Sequence, residues 1–279
     1  MARFRDIKDV IVFGEDWTGV QEVNTPVEGE NFDYSADDNT SIRRVDVTKR
    51  SISISITVQD PEFKRDISLP VFGSSPQLSL NEVLSATMRE NADEMVDSSE
   101  DDDWITFVGI TRRVVEGEME IRDFNQLMNE DNFYVGIMGR LQFDVLPGAA
   151  LTGLANRDAY ERFWMPDMVC TGINSTNRHG DLHSGTVNFR GGGDSTNEAK
   201  INNTLSAGGV TVFEINAGDE GTISFTAPTA DGGDDANISI VNCVCTSVEI
   251  TATHGGRLER KFTFRAYSDD GETSPLTLT

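Results

Sequence analysis

The sequence predicts a mainly β protein, a β-sandwich or distorted barrel with one or two flanking helices, built around an internal repeat. Three observations predict it. Val169–Asp194 and Val244–Asp269 align without a gap at an offset of 75 residues, with nine of 26 positions identical. Several other segments alternate apolar and polar residues, the mark of half-buried strands. Asn-, Asp- and Gly-rich stretches such as Gly191–Asp194 and Asp231–Asp235 punctuate them as turns.

Each element follows from its own pattern. Ser51–Val58 alternates strictly between Ser/Thr and Ile/Val, so one face suits a core and the other faces solvent or a partner. Ser79-Leu80-Asn81-Glu82 reads as a capping box, with Ser79 as N-cap and Glu82 at N3. Val83, Leu84, Thr87, Met88 and Met95 then predict the apolar stripe of a helix. Asp93–Asp103 holds seven acids in 11 residues and predicts an exposed loop after that helix rather than a metal site. A second short helix is expected over Asp123–Asn129, and 151–163 is ambiguous between helix and coil. Gly139–Val145 and Gly221–Thr226 are alternating strands, each preceding one repeat copy. Thr186–Phe189 and Lys261–Phe264 are the closing strands of the copies. Cys170, Phe189, Cys245 and Phe264 occupy matched positions and are the expected repeat core, the cysteines as small buried hydrophobes.

The chain has 47 acidic and 23 basic residues, a net charge of −24, and only five lysines. Such a surface suits molar salt, where the Debye length is about 3 Å and self-repulsion is screened. A halophilic source is expected, and gripping a nucleic-acid backbone, which needs a basic patch, is not. Met1–Asp6 is polar and predicts no signal peptide. No apolar stretch is long enough to predict a membrane-spanning helix.

Catalytic patterns are missing. Cys170, Cys243 and Cys245 cannot build a disulfide framework, and Cys243-Val244-Cys245 lacks a second ligand pair for zinc. His179 and His183 could share a strand face with Asp181. The second copy keeps His254-Gly255 but has Leu258 where the first has His183, so a turn role for the His-Gly pair is favoured. No nucleophile elbow, phosphate loop or His-Glu-x-x-His occurs. The expectation is a protein that is not an enzyme, with no cofactor, no metal and no catalytic residue.

The two copies, with the ending Leu258–Leu276 (an alternating strand, then Ser268-Asp269-Asp270-Gly271, then Pro275-Leu276), resemble the tail tube proteins of long-tailed, siphovirus-like viruses. The resemblance covers mainly residues 105–279 and is a pattern rather than a signature. It implies stacked rings whose inner strands join into a β-lined tube, in the tail of a virion assembled in the host cytoplasm. It implies partners of three kinds: further copies of the chain, the tape measure, tail terminator and tail tip proteins, and DNA that passes through without specific binding. Such rings commonly hold six single-domain subunits. A chain with two related units would need only three copies, so trimer and hexamer are both open. The expected division is 1–195, a first unit with a helical and acidic-loop insertion at about 62–104, and 196–279, a second unit short enough to need strands from the N-terminal segment. Ser51, Ser53, Ser55 and Thr57 are the candidate lumen wall. Another virion or surface β protein (a head–tail connector, a capsid decoration protein, a surface-layer domain) remains an alternative. A carbohydrate-binding sandwich would want exposed aromatics, and the chain has three Trp and four Tyr.

Overall fold

A computed structural model describes residues 7–17, 19–34, 44–59, 65–72, 78–80, 83–99, 101–122, 133–147, 161–176, 183–191, 200–205, 215–228 and 235–279. Among them all regular structure is β, in seventeen strands. In chain order these are Lys8–Val12 (β1), Glu15–Trp17 (β2), Val20–Asn24 (β3), Val27–Tyr34 (β4), Arg44–Gln59 (β5), Arg65–Phe72 (β6), Leu78–Ser79 (β7), Val83–Asp97 (β8) and Phe107–Ile121 (β9). Then come Met138–Pro147 (β10), Glu161–Thr176 (β11), Ser184–Gly191 (β12), Asn202–Leu205 (β13), Glu220–Ala227 (β14), Ala236–Thr253 (β15), Leu258–Ala266 (β16) and Leu276–Leu278 (β17). Mainly β is therefore what the chain is.

Antiparallel pairing sorts these strands into two sets of the same order. One set runs β2–β1–β14–β15–β16–β5, with β3 and β4 along the far side of β5 and β17 on β15. The other runs β7–β6–β10–β11–β12–β9–β8, with β13 on β11. Their irregularities coincide too. The β11–β12 ladder slips after the pair Cys170–Phe189, and the β15–β16 ladder slips after Cys245–Phe264. Slips after Gly139 and Gly221 match, as do those between Val83 and Ser85 and between Val20 and Glu22. Bulges of this kind are built features of a sheet rather than noise. A tight turn leads into β10 and another into β14. Gly136 N–H donates to the Cys170 carbonyl at 2.8 Å, and Gly218 N–H to that of Cys245 at 2.7 Å. Both glycines hold φ near +100° (101° and 96°), a conformation other residues adopt at a steric cost.

The repeat thus spans two whole units, not one hairpin. One unit is contiguous, β6–β13. It is inserted into the other, whose halves are β1–β5 and β14–β17. The C-terminal segment takes its partners from the N-terminus: β14 pairs with β1 and β16 with β5. Pairing therefore groups β1–β5 with β14–β17 rather than with the residues that follow them. Within the stretch 62–104, strands β6, β7 and β8 stand in the places that β1, β2 and β3 hold in the other unit.

Each unit folds back on itself around its aromatics. Phe72 on β6 lies 5.0 Å from Phe189 on β12, and Trp17 on β2 lies 4.6 Å from Phe262 on β16 (ring centroids), although neither pair of strands is hydrogen-bonded. Phe143, Phe163, Phe189, Phe262, Phe264, Ile52, Ile54 and Ile56 are fully buried. One apolar cluster runs through both units, so hydrophobic burial joins them into a single core.

One element differs from expectation. The helix expected from Ser79 is not formed: Ser79 ends β7, and Val83–Asp97 is strand β8, paired with β9 on one side and β15 on the other. Two ladders outweigh a local helical signal, because Ser85–Asn91 of β8 gain cross-strand partners on both flanks. The helix expected over Asp123–Asn129 lies outside the described residues. So does 151–160, while 161–163 open β11.

Candidate functional site: the joint between the units

The two units are sewn together by β8 of one and β15 of the other. Seven consecutive residue pairs run antiparallel from Asn91–Ser247 to Ser85–Thr253. The side chains sort by parity, as strand geometry demands. On the outer face Arg89 Nε donates to Glu249 at 2.6 Å, Thr87 and Thr251 hydroxyls meet at 3.1 Å, and Ser247 Oγ donates to Asn91 at 2.9 Å. Arg265 of β16 extends the seam to Glu94 at 3.0 Å. A groove of about 430 Å³ lies over this face, lined by Arg89, Arg190, Glu116, Glu118 and Glu249 among others. Its charges are of both signs, which makes a poor phosphate channel.

The inner face carries Ala86, Met88, Val248, Ile250 and Ala252, all buried, and one exception. Glu90 is fully buried there. Its carboxylate accepts the Ile201 N–H at 3.0 Å and the Ala217 N–H at 2.9 Å. Ile201 belongs to the same unit as Glu90 and Ala217 to the other, so one side chain ties the turn before β14 to the neighbouring unit. Burial pushes the Glu90 carboxyl above its usual range, against the pull of the two N–H groups and Arg113. Nothing in the sequence marks Glu90 out, since it is one acid among 47.

The expected site residues fall as follows. Cys170, Phe189, Cys245 and Phe264 are all buried, and each Cys sits opposite its Phe across a ladder. Burial raises the Cys170 and Cys245 thiols and pushes Cys243 up to about 12, which leaves them as packing groups. Ser53, Ser55 and Thr57 are half-buried on β5, all three paired with β16 and the last two also flanked by β3, on the face opposite Ile54 and Ile56. Ser51 is buried and accepts a hydrogen bond from Arg265 at 3.2 Å. His254-Gly255 forms the turn between β15 and β16, with Gly255 at φ 65°. His179 and Asp231–Asp234 lie outside the described residues.

The acidic segment is the end of β8 and the tip that leads to β9, not a loop after a helix. Its C-terminal side is pinned: Trp104 N–H donates to Gly271 at 3.0 Å, and Arg50 N–H to Asp103 at 2.8 Å. Asp102 accepts the Ser99 N–H at 2.6 Å. Replacing exposed Asp101 and Asp103 with Ser is expected to change stability by less than about 0.5 kcal/mol. Asp102→Ser should cost about 1 kcal/mol, one net hydrogen bond. Urea titration of the variants checks both, and a large loss at Asp101 or Asp103 would reveal a role beyond a solvated tip. Among the described residues no three His, Cys, Asp or Glu side chains gather as a metal site would.

No family model, curated protein or solved structure matches this chain.

Proposed function

We propose that this chain is the structural building block of a ring, and that its rings stack into the tail tube of a long-tailed virus of a salt-loving host. The observation that carries the assembly reading is the joint itself. Two copies of one β unit lie head to tail, edge to edge, through β8 and β15. A head-to-tail contact that repeats either closes into a ring or runs on as a filament. The duplication suits three chains in place of six single units. The virion setting draws on the resemblance of the repeat and the C-terminal run to tail tube proteins. In that setting the chain contacts itself, the tape measure, the terminator and the tip, and an acidic lumen lets DNA pass without sticking.

Salt provides the test. With a net charge of −24 per chain, bringing copies together concentrates negative charge, and screening lowers that cost. Rings or tubes of uniform width are expected by negative stain in molar KCl. Dialysis to about 0.1 M, where the Debye length is about 10 Å, is expected to loosen them. A chain that stays monomeric at every salt and protein concentration would remove the assembly reading. Equal assembly at both salt levels would remove the salt-loving host.

A further inference from the structure

The repeat puts each unit's edges in the same places, yet only one of the two matching joints is made within the chain. β15 is flanked at Ser247–Thr253 by β16 and β8. Its counterpart β11 is flanked at Gly172–Thr176 by β12 alone, among the described residues. Likewise β8 lies between β9 and β15, whereas its counterparts β3 and β4 pair only with β5, among the described residues. One chain therefore carries two open edges, each the equivalent of an edge that the other unit has already covered.

We propose that these edges cover each other between copies: β11 of one chain pairs with β3–β4 of the next, repeating the β8–β15 joint. The inference rests on the assembly reading and names its contact. Transferring the internal register sets Gly172 opposite Glu28, Ile173 opposite Val27, Asn174 opposite Pro26, Ser175 opposite Thr25 and Thr176 opposite Asn24.

Two observations independent of the pairing support a second copy as the occupant. The first is apolar exposure. Val27 stands where Glu90 stands in the internal joint, and Val135 stands where Ala217 does, in the turn before β10. Glu90 and Ala217 touch across the internal joint and both are fully buried. Val27 is 53% exposed and Val135 55%, with Tyr134 at 59% and Met138 at 64% beside it. The transferred register brings Val27 onto that turn, so these four exposed apolar side chains fall on the two halves of one contact. Where the internal joint uses a buried carboxylate, the open one offers hydrocarbon, which suits surfaces that meet after folding.

The second is Pro26, a residue that would break a ladder facing the wrong way. Ser53 N–H donates to the Pro26 carbonyl at 3.1 Å, so the Pro26 backbone faces β5. Its missing N–H is lost on that side and leaves the outer ladder intact. No acid faces an acid in this register.

Chains alternating internal and external joints form a head-to-tail series in which these two edges of each chain are covered, which removes exposed edges that otherwise invite aggregation.

Cysteine pairing tests the register. Pro26→Cys with Asn174→Cys places two cysteines at a non-hydrogen-bonded pair, within the roughly 4.4–6.8 Å Cα separation a disulfide spans. Under mild oxidation in molar KCl, chains are expected to link, up to a limiting covalent species with the mass of the native ring. Glu22→Cys with Asn174→Cys sits about 13 Å out of register and is expected to link at least about tenfold less. Val27→Lys, at a site exposed in the single chain, is expected to leave circular dichroism unchanged and weaken association by about tenfold or more, since it buries a cation facing the N–H donors that the internal joint gives to a carboxylate. Oligomers of defined mass in which the two cysteine pairs link equally would overturn the register while the assembly reading stands. A wild-type chain that never associates would overturn both.

Discussion

Phe264→Ala is expected to destabilise the protein by about 3–5 kcal/mol, the usual cost of removing a fully buried aromatic ring. Phe264 has no exposed surface. It lies 5.5 Å from Phe13 in an edge contact and stacks on Phe262 at 6.4 Å (ring centroids). Across the ladder it faces Cys245, at the pair where the β15–β16 register slips. A cavity there cannot close by a small shift, because ladders hold β16 on both sides, to β15 and to β5. The same argument applies to Phe189, buried beside Phe72 and facing Cys170 at the matching slip. Phe189→Ala should therefore cost a similar amount, and both variants should shift one urea transition if the common core unfolds as a whole. Urea titration in molar KCl measures both. A cost below about 1 kcal/mol at either position would mean that its ring is not a buried element of the repeat.

Alternation carried most of what the residues reveal about the fold. Ser51–Val58 has Ile or Val at every second position, and Ile52, Ile54, Ile56 and Val58 are buried. β8 shows why the same rule failed elsewhere. Its buried positions are Val83, Ala86, Met88 and Glu90, with a register slip between Val83 and Ser85. The slip breaks the period of two, and the Glu removes an apolar mark where one was needed. What remained, Val83, Leu84, Thr87 and Met88 after a capping-box pattern, reads as a helix. The residue that hid the strand is the one that ties the units together. Local conflicts of this kind are expected where a site overrides pattern.

The extent of the repeat was hidden for a related reason. Val169–Asp194 and Val244–Asp269 align without a gap because their bulges fall at the same step. Between the N-terminal halves few identities survive, such as Val20 and Val83, Thr48 and Thr111, or Arg50 and Arg113, and elsewhere only apolar character is shared, as at Ile52 and Val115 or Val58 and Ile121. That the C-terminal strands pair with β1 and β5, across more than 190 residues of chain, is a matter of topology that side-chain patterning does not encode. The open edges become legible only once the two units are laid over each other.

Glu90→Ala should cost about 2–6 kcal/mol, because it leaves two buried N–H groups, those of Ile201 and Ala217, without their acceptor, at about 1–3 kcal/mol each. Glu90→Gln keeps the volume but turns an amide NH₂ toward one of those donors, so about half that loss is expected. Hydrogen exchange at the two amides is the specific measurement: protection should fall at both in the Ala variant. Ala217 is the more telling, since it lies across the joint from Glu90. The sign of the pH effect follows from the raised carboxyl. The folded chain holds this proton more tightly than the unfolded chain, so the group favours folding most below the ordinary carboxylate value of 4.5. That contribution is lost as the pH rises from there through the folded-state value. The stability difference between wild type and Glu90→Gln should therefore shift against wild type across that window and be flat above it. A difference that does not change with pH would mean that burial and the two N–H donors offset each other at Glu90. Unchanged protection at Ala217 in the Ala variant would mean that the β8–β15 ladder alone holds the units together.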